Sequence, residues 1–231
     1  MAIKKITVLY GGQSSEREVS LESGKDIYHS LKVLGYEAQL IDYPKNFFIE
    51  QFSQEDFIFI ALHGADGESG ELQKILQQKR VPFSGSNHKA CMNTWNKNTC
   101  KNLLKKNNIP TPKWINVSSL TEMQRNLEDD FFDLLRPFKE IFLKPAEDGS
   151  SIDVFKISNN KDLELAIECC INSSRAFIFE ENVDFKELTV PILNGRCLPA
   201  VEIRTSESFY NFNAKYVNKD TQLLEFILPD D

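Results

Sequence analysis

Apolar residues in the first third of the chain fall into short runs, separated by stretches with helical period. Ile6 to Tyr10 (ITVLY) is rich in β-formers and predicts a strand. Gly11-Gly12 ends it, because paired glycines permit a tight turn. Ser15 and Glu18 match a Ser-x-x-Glu capping box, which predicts a helix starting there. Ile27, Leu31 and Leu34 continue that helix at its own spacing, and Gly35 closes it as a C-cap. Glu37 to Asp42 predicts a second strand. Phe57 to Leu62 (FIFIAL) is apolar on both faces and predicts a third, internal to a parallel sheet. His63-Gly64 follows at its carboxyl end, then a loop over Ala65 to Gly70, a helix over Glu71 to Lys79 and a short strand over Val81 to Ser84. This alternation predicts a Rossmann-like α/β layer sandwich, in which ligands sit beyond the carboxyl ends of the strands.

A boundary falls near residues 90–112, where Asn96 can cap a helix over Lys97 to Asn107 and Pro110-Thr-Pro112 ends it. Beyond it the pattern changes to α+β and largely antiparallel. Strands are predicted over Lys113 to Val117, Glu140 to Pro145, Val154 to Ile157 and Ala176 to Glu180. Helix is predicted within Thr121 to Leu135, with a break at Pro137. The loop Ala146 to Ser151 (AEDGSS) joins two antiparallel strands. Lys161 to Cys170 is an amphipathic helix with Leu163, Ala166, Ile167 and Cys170 on one face. Leu188 to Leu193 and Cys197 to Ile203 flank Asn194-Gly195, a strong hairpin signal.

Composition narrows the class. With 41% hydrophobic and 26% charged residues over 231 positions, the chain reads as a soluble globular protein. A net charge of −7 argues against a general nucleic-acid binder. The five cysteines are odd in number and form no Cys-x-x-Cys. No stretch is long and apolar enough for a membrane span, and the amino-terminal apolar run is too short for a signal sequence. A cytoplasmic location is the expectation.

Candidate chemistry falls in both halves. Glu16 lies at the mouth of a strand–turn–helix unit, where a carboxylate can receive a substrate ammonium; an ordinary βα turn with solvated charges fits the same residues. His63 stands at a second strand end, where a hydrogen-bonded loop histidine is the plainer reading. In the second half Lys144 ends a buried strand and needs an anion. Gly149-Ser150-Ser151 offers backbone and hydroxyl donors to phosphates. Glu180 and Glu181 end a strand where an adenine edge can be read, Glu187 can accept from ribose hydroxyls, and Lys215-Tyr216 sits in a loop able to close over a site. Each also has a bland reading as a snorkelling lysine, a solvated strand end or a turn. Neither a Walker loop nor a Gly-x-Gly-x-x-Gly turn is present.

Five blocks, taken together and in order, resemble one family. They are Val8 to Gly24 (VLYGGQSSEREVSLESG), Ala61 to Leu72 (ALHGADGESGEL), Lys144 to Ile152 (KPAEDGSSI), Phe179 to Val190 (FEENVDFKELTV) and Phe209 to Tyr216 (FYNFNAKY). The family is that of D-alanine–D-alanine ligases, ATP-grasp enzymes, and the likeness extends over essentially the whole chain. It implies a Rossmann-like substrate domain over 1–95, a central ATP-grasp subdomain over 96–185 and the start of a carboxyl-terminal ATP-grasp subdomain over 186–231. It also implies ATP-dependent joining of two D-alanines through an acyl phosphate, for peptidoglycan synthesis, by a homodimer that uses Mg2+ (or Mn2+).

Residue by residue, the resemblance gives Glu16, Val19 and His63 to the first D-alanine. Ser150 is joined to Glu16 and to Tyr216, these three being the catalytic set. Lys97 and Lys144 serve the α- and β-phosphates, with Ser150 and Ser151 over them, and Lys215 lies nearer the transferred phosphate. Glu180, Glu181 and Val183 form the adenine hinge, and Glu187 the ribose acceptor. Three features depart from the family pattern. Asn96 stands where an aspartate is common. Asp153 stands where a glycine is usual, adding negative charge near the triphosphate path. The metal ligands are expected beyond Asp231, so that the chain holds no complete metal site. The alternative expectation is an inactive nucleotide- or D-alanine-binding remnant; a weaker one is another ATP-grasp amino-acid ligase.

Overall fold

The structure is a computed structural model that describes residues 5–121, 140–183, 186–207 and 209–227. The chain forms two compact units, residues 1–110 and 111–231.

In the first unit, β1 (Lys5–Gly11) is the central strand of a parallel sheet, with β2 (Ala38–Tyr43) on one side and β3 (Asp56–Ile60) on the other. The FIFIAL segment, expected to be internal to a parallel sheet, has parallel neighbours on both sides only at Ile58. Val8 and Leu9 of β1 are fully buried, whereas β3 is extended outward by a single parallel bridge, Ile58 to Phe83. The expected strand over Val81 to Ser84 thus reduces to that one bridge, held by Ile58 N–H to Pro82 O (2.9 Å) and Ser84 N–H to Ile58 O (3.0 Å).

Helix α1 (Arg17–Val33) starts later than the capping box predicts. Glu16 is its N-cap and no side chain caps it. Ser14, not Ser15, shapes the entry: its hydroxyl accepts from the Glu16 amide at 3.2 Å and donates to the His63 carbonyl at 2.9 Å. The other end follows expectation. Gly35, at φ 83°, sends its N–H to Lys32 O, and Tyr36 sends its N–H to Leu31 O, a Schellman closure.

The buried face of α1 is Ser20 and Gly24, while Leu34 is 72% exposed. A Cβ on Gly24 would stand 2.4 Å from Tyr10 Cβ, so the helix lies closest to β1 at its small residues, on the face that half-buried Ile27 and Leu31 continue. Ser20 Oγ accepts from Gly11 N–H (2.9 Å) and donates to Ala61 O (2.6 Å), tying α1 to the ends of two strands.

After β3 comes α2 (Ala65–Glu68), a single helical turn where a loop was expected, then α3 (Glu71–Gln78). A helix that the pattern did not announce, α4 (His88–Trp95), precedes α5 (Lys97–Lys106). Asn87 and Asn96 cap them, accepting from Ala90 N–H and Thr99 N–H at 3.0 Å each. Leu9, Ile41, Ile58, Leu62, Leu72, Leu76 and Val81 form this unit's core.

The second unit holds β4 (Trp114–Val117), β5 (Ile141–Pro145), β6 (Phe155–Ile157), α6 (Asn160–Cys170) and β7 (Phe177–Glu181). The four strands make an antiparallel sheet in the order β4-β7-β5-β6. Helix α6 buries Leu163, Ala166, Ile167 and Cys170, the face that its period predicts, against Leu143, Ile157, Phe177 and Phe179. The helix expected within Thr121 to Leu135 lies, past Thr121, outside the described residues.

The two long runs around Asn194-Gly195 are each broken by a proline, which has no N–H to give a ladder. Pro191 separates β8 (Glu187–Thr189) from β9 (Ile192–Leu193). Past the turn, Pro199 lies between β10 (Arg196–Cys197) and β11 (Val201–Arg204). Asn194 (φ 50°) and Gly195 (φ 74°) form the turn itself. The polar aromatic stretch read as a loop contains a short helix, α7 (Phe212–Tyr216), capped by Asn211. Finally β12 (Gln222–Glu225) joins β11 and β8 in a second antiparallel sheet, in the order β12-β11-β8. No described helix is long and apolar enough to cross a membrane.

Candidate functional site

The first unit brings Glu16 and His63 into one loop cluster beyond the ends of β1 and β3. Glu16 is 4% exposed. It stands at the amino end of α1, where the peptide dipoles favour negative charge. A Cβ on Gly64 would lie 3.6 Å from Glu16 Oε2, so the carboxylate rests beside the backbone that follows His63. The His63 ring is one-third exposed, with Nδ1 4.0 Å from Glu68 Oε1. Val19 is half-buried on the first turn of α1.

The turn beneath is clamped by a pair that the sequence did not announce. Arg17 donates to both oxygens of Asp42 (2.8 and 2.7 Å) and to Gly12 O (2.9 Å). Its hydrogen bonds hold the Asp42 carboxyl below the usual carboxylate range and raise the guanidinium pKa. Twenty-five positions separate the partners, so no local pattern reveals them. Lys97 opens α5 in this unit, whereas the other nucleotide candidates belong to the second, and Asn96 caps its helix as an aspartate would.

The second unit contains a cleft of about 500 Å³, lined among others by Phe142, Lys156, Val183, Glu187, Glu202 and Phe209. Phe142 and Phe209 meet edge to face, with ring centres 5.4 Å apart. Lys144 follows Phe142 on the same face of β5. Its Nζ lies 5.2 Å above the Phe142 ring and pairs with Glu180, which stands directly opposite Phe142 on β7. The strand-end lysine, one-quarter exposed, thus has its anion, a carboxylate. Strand alternation sends Glu181 the other way, where its carboxylate accepts from Lys113 N–H at 3.3 Å. The two adjacent glutamates therefore do different work.

Val183 and Glu187 both line the cleft. So does Glu202, which sequence reasoning missed. It is 8% exposed, takes Arg204 at 2.9 Å and Lys186 at 3.6 Å, and has a pKa lowered chiefly by the Arg204 hydrogen bond. The alternation in Val201 to Arg204 (VEIR) was the available signal.

Four further candidates converge on one another. Ser150 Oγ and Tyr216 Oη are hydrogen bonded at 2.8 Å, and Ser151 Oγ donates to Tyr210 O at 2.9 Å. Lys215 Nζ lies 5.2 Å over the Tyr210 ring. Asp153, the added negative charge of this loop, pairs with Arg175, which also takes Asp148 at 2.7 Å. Among the described residues no group of three or more His, Cys, Asp or Glu side chains converges to hold a metal ion.

Such an arrangement can bind a planar ring and a chain of phosphates in the second unit, and an ammonium in the first. Residues 103–228 match the family profile described as D-ala D-ala ligase C-terminus. The chain is 36% identical over 229 residues to the D-alanine–D-alanine ligase of Glaesserella parasuis, spanning 98% of this chain and 72% of the relative. The same figures hold for the ligase of Haemophilus ducreyi. Among solved structures, the Bacillus anthracis D-alanine–D-alanine ligase superposes with a TM-score of 0.79 at 30% identity, covering 97% of this chain and 72% of that one. The same ligase complexed with ATP gives 0.78 at 29% identity, covering 98% and 72%. The mixed α/β fold is the one those structures share, and the chain belongs to the D-alanine–D-alanine ligase family, whose members are ATP-dependent ligases.

Proposed function

We propose that ATP binds in the cleft of the second unit and that the first D-alanine binds at Glu16, with the chain divided as a Rossmann-like substrate domain (1–95) and ATP-grasp parts (96–185 and 186–231). The observation that carries this reading is the cleft lined by Phe142, Val183 and Phe209 among charged side chains, with Lys144 Nζ 5.2 Å over the Phe142 ring, in the same unit as the Ser150–Tyr216 pair. Adenine packs on Phe142, Phe209 and Val183, with the Glu180 side chain and the backbone of Glu181 and Val183 as its hinge, and Glu187 accepts from the ribose. Lys97 and Lys144 neutralise the α- and β-phosphates, Ser150 and Ser151 cover them, and Lys215 stands nearer the γ-phosphate.

On the amino-acid side, Glu16 holds the ammonium, Val19 the side chain, and His63 the carboxylate. That carboxylate attacks the γ-phosphorus and ADP leaves, giving an acyl phosphate. Lysines matched to the developing charge lower this barrier. The amine of a second D-alanine then attacks the acyl carbon and phosphate departs, a step that needs mainly positioning; Ser150 and Tyr216, with Glu16, supply it. Magnesium or manganese enters as the ion accompanying ATP. The described residues do not form its site. A cytoplasmic homodimer serving peptidoglycan synthesis completes the proposal.

The test is release of phosphate that depends on both ATP and D-alanine, with D-alanyl-D-alanine identified by mass spectrometry. ATP binding without dipeptide would favour the inactive remnant, and dipeptides from other amino acids a different ATP-grasp ligase.

A further inference from the structure

The connection between β5 and β6 contains four residues with positive φ that are not glycine: Asp148 (108°), Ser150 (53°), Ser151 (60°) and Asp153 (51°). Each is unfavourable for a residue with a Cβ, so such a loop keeps its shape only where outside contacts impose it. One side is tied by the Ser150–Tyr216 and Ser151–Tyr210 hydrogen bonds. The other side is tied by Arg175. Its Nη1 donates to Asp148 Oδ2 at 2.7 Å and its Nη2 to Asp153 Oδ2. The guanidinium is itself anchored, with Nε donating to Ser173 Oγ at 2.9 Å and the plane 5.7 Å over the ring of fully buried Phe177. A planar fork fixed to the core thus grips two carboxylates five positions apart, and both serines lie between them.

We propose that Arg175 is a positioning residue for the serine loop: it holds Asp148 and Asp153 in their left-handed conformations and so presents Ser150 and Ser151 to the nucleotide phosphates before ATP arrives. The presentation to phosphate rests on the ATP site proposed above; the hold on the loop does not. Two arms of the experiment separate them.

In the protein without nucleotide, Arg175→Ala should speed hydrogen exchange about tenfold in the peptide spanning 146–154, including the Ile152 amide that donates to Gly149 O at 3.2 Å. Arg175→Lys, which keeps the charge but not the fork, should fall between. By calorimetry with ATP and magnesium chloride, Arg175→Ala should weaken binding about tenfold and leave D-alanine affinity unchanged. The decisive comparison adds Asp153→Gly or Asp153→Ala to Arg175→Ala. Both remove the Asp153 carboxylate and leave that of Asp148, but only glycine adopts φ 51° freely. Rescue by glycine and not by alanine supports positioning. Equal rescue by both means that Arg175 only neutralises charge and overturns the proposal, as does unchanged exchange in the 146–154 peptide. Slowed exchange restored by glycine in a protein that binds no ATP would uphold the hold on the loop and remove the nucleotide site instead.

Discussion

Lys144 and Glu180 form a pair whose two members lose different things. The side chains are 25% and 15% exposed, so neither charge is fully hydrated. Lys144→Ala removes the proposed phosphate partner and also leaves Glu180 without the ammonium it faces. A charge-assisted hydrogen bond is worth about 1.5–3 kcal/mol. ATP affinity should therefore fall about ten- to a hundredfold, with D-alanine affinity unchanged, as read by calorimetry with each ligand separately; equal losses for both would mean a folding defect. Glu16→Gln is the mirror case. It keeps shape and hydrogen bonding but removes the charge that faces an ammonium, so D-alanine binding should weaken while ATP binding holds, and unchanged D-alanine affinity would remove the assignment. Both residues were legible because their types stand out at strand and helix ends. Glu202, Arg175 and the Arg17–Asp42 clamp were not, because a charge in a polar stretch looks the same whether or not folding brings it a partner.

Elements with a clean period were read correctly and those set by tertiary packing were not. Helix α6 buries the four residues that its spacing names. In α1 the spacing of Ile27 and Leu31 continues the face of Ser20 and Gly24, yet the buried positions on that face are the two small residues, because close approach to β1 selects them. Helix α4 (HKACMNTW) buries no residue and gave no stripe to find. A sharp prediction follows at Gly24. In an exposed helix interior, glycine to alanine gains about 0.8–1 kcal/mol. Here the new Cβ would meet Tyr10 Cβ at 2.4 Å and the ring at 2.9 Å. Overpacking typically costs about 1–3 kcal/mol, so Gly24→Ala should destabilise the protein on balance, read as a lower urea midpoint. A raised midpoint would show that α1 can lift off β1 without loss.

For the molecule as a whole, two effects of acid oppose each other. The net charge is −7 at pH 7, so protonating carboxylates relieves mutual repulsion and should favour the compact state. Against this, Asp42 in the first unit and Glu140 and Glu202 in the second all have lowered pKa values, through hydrogen bonds first from Arg17, from Lys156 and from Arg204 respectively. A carboxyl whose folded pKa lies below its unfolded value of about 4 binds fewer protons folded than unfolded between the two. Its stabilisation is therefore complete above that value and drains away as pH falls through the folded pKa. The repulsion is spread over the whole surface and screened beyond about 8 Å at physiological salt. The ion pairs are in contact, at 2.7 Å for Arg17–Asp42, 3.0 Å for Lys156–Glu140 and 2.9 Å for Arg204–Glu202. The local pairs should win. The melting temperature should stay level from pH 7 to about 5 and fall below about 4. Asp42→Asn should lower the plateau and make the acid fall shallower, because one of the groups that drives it is gone. A melting temperature that climbs on acidification from pH 5 to 3 would mean that general repulsion, and not these contacts, governs the stability of the chain.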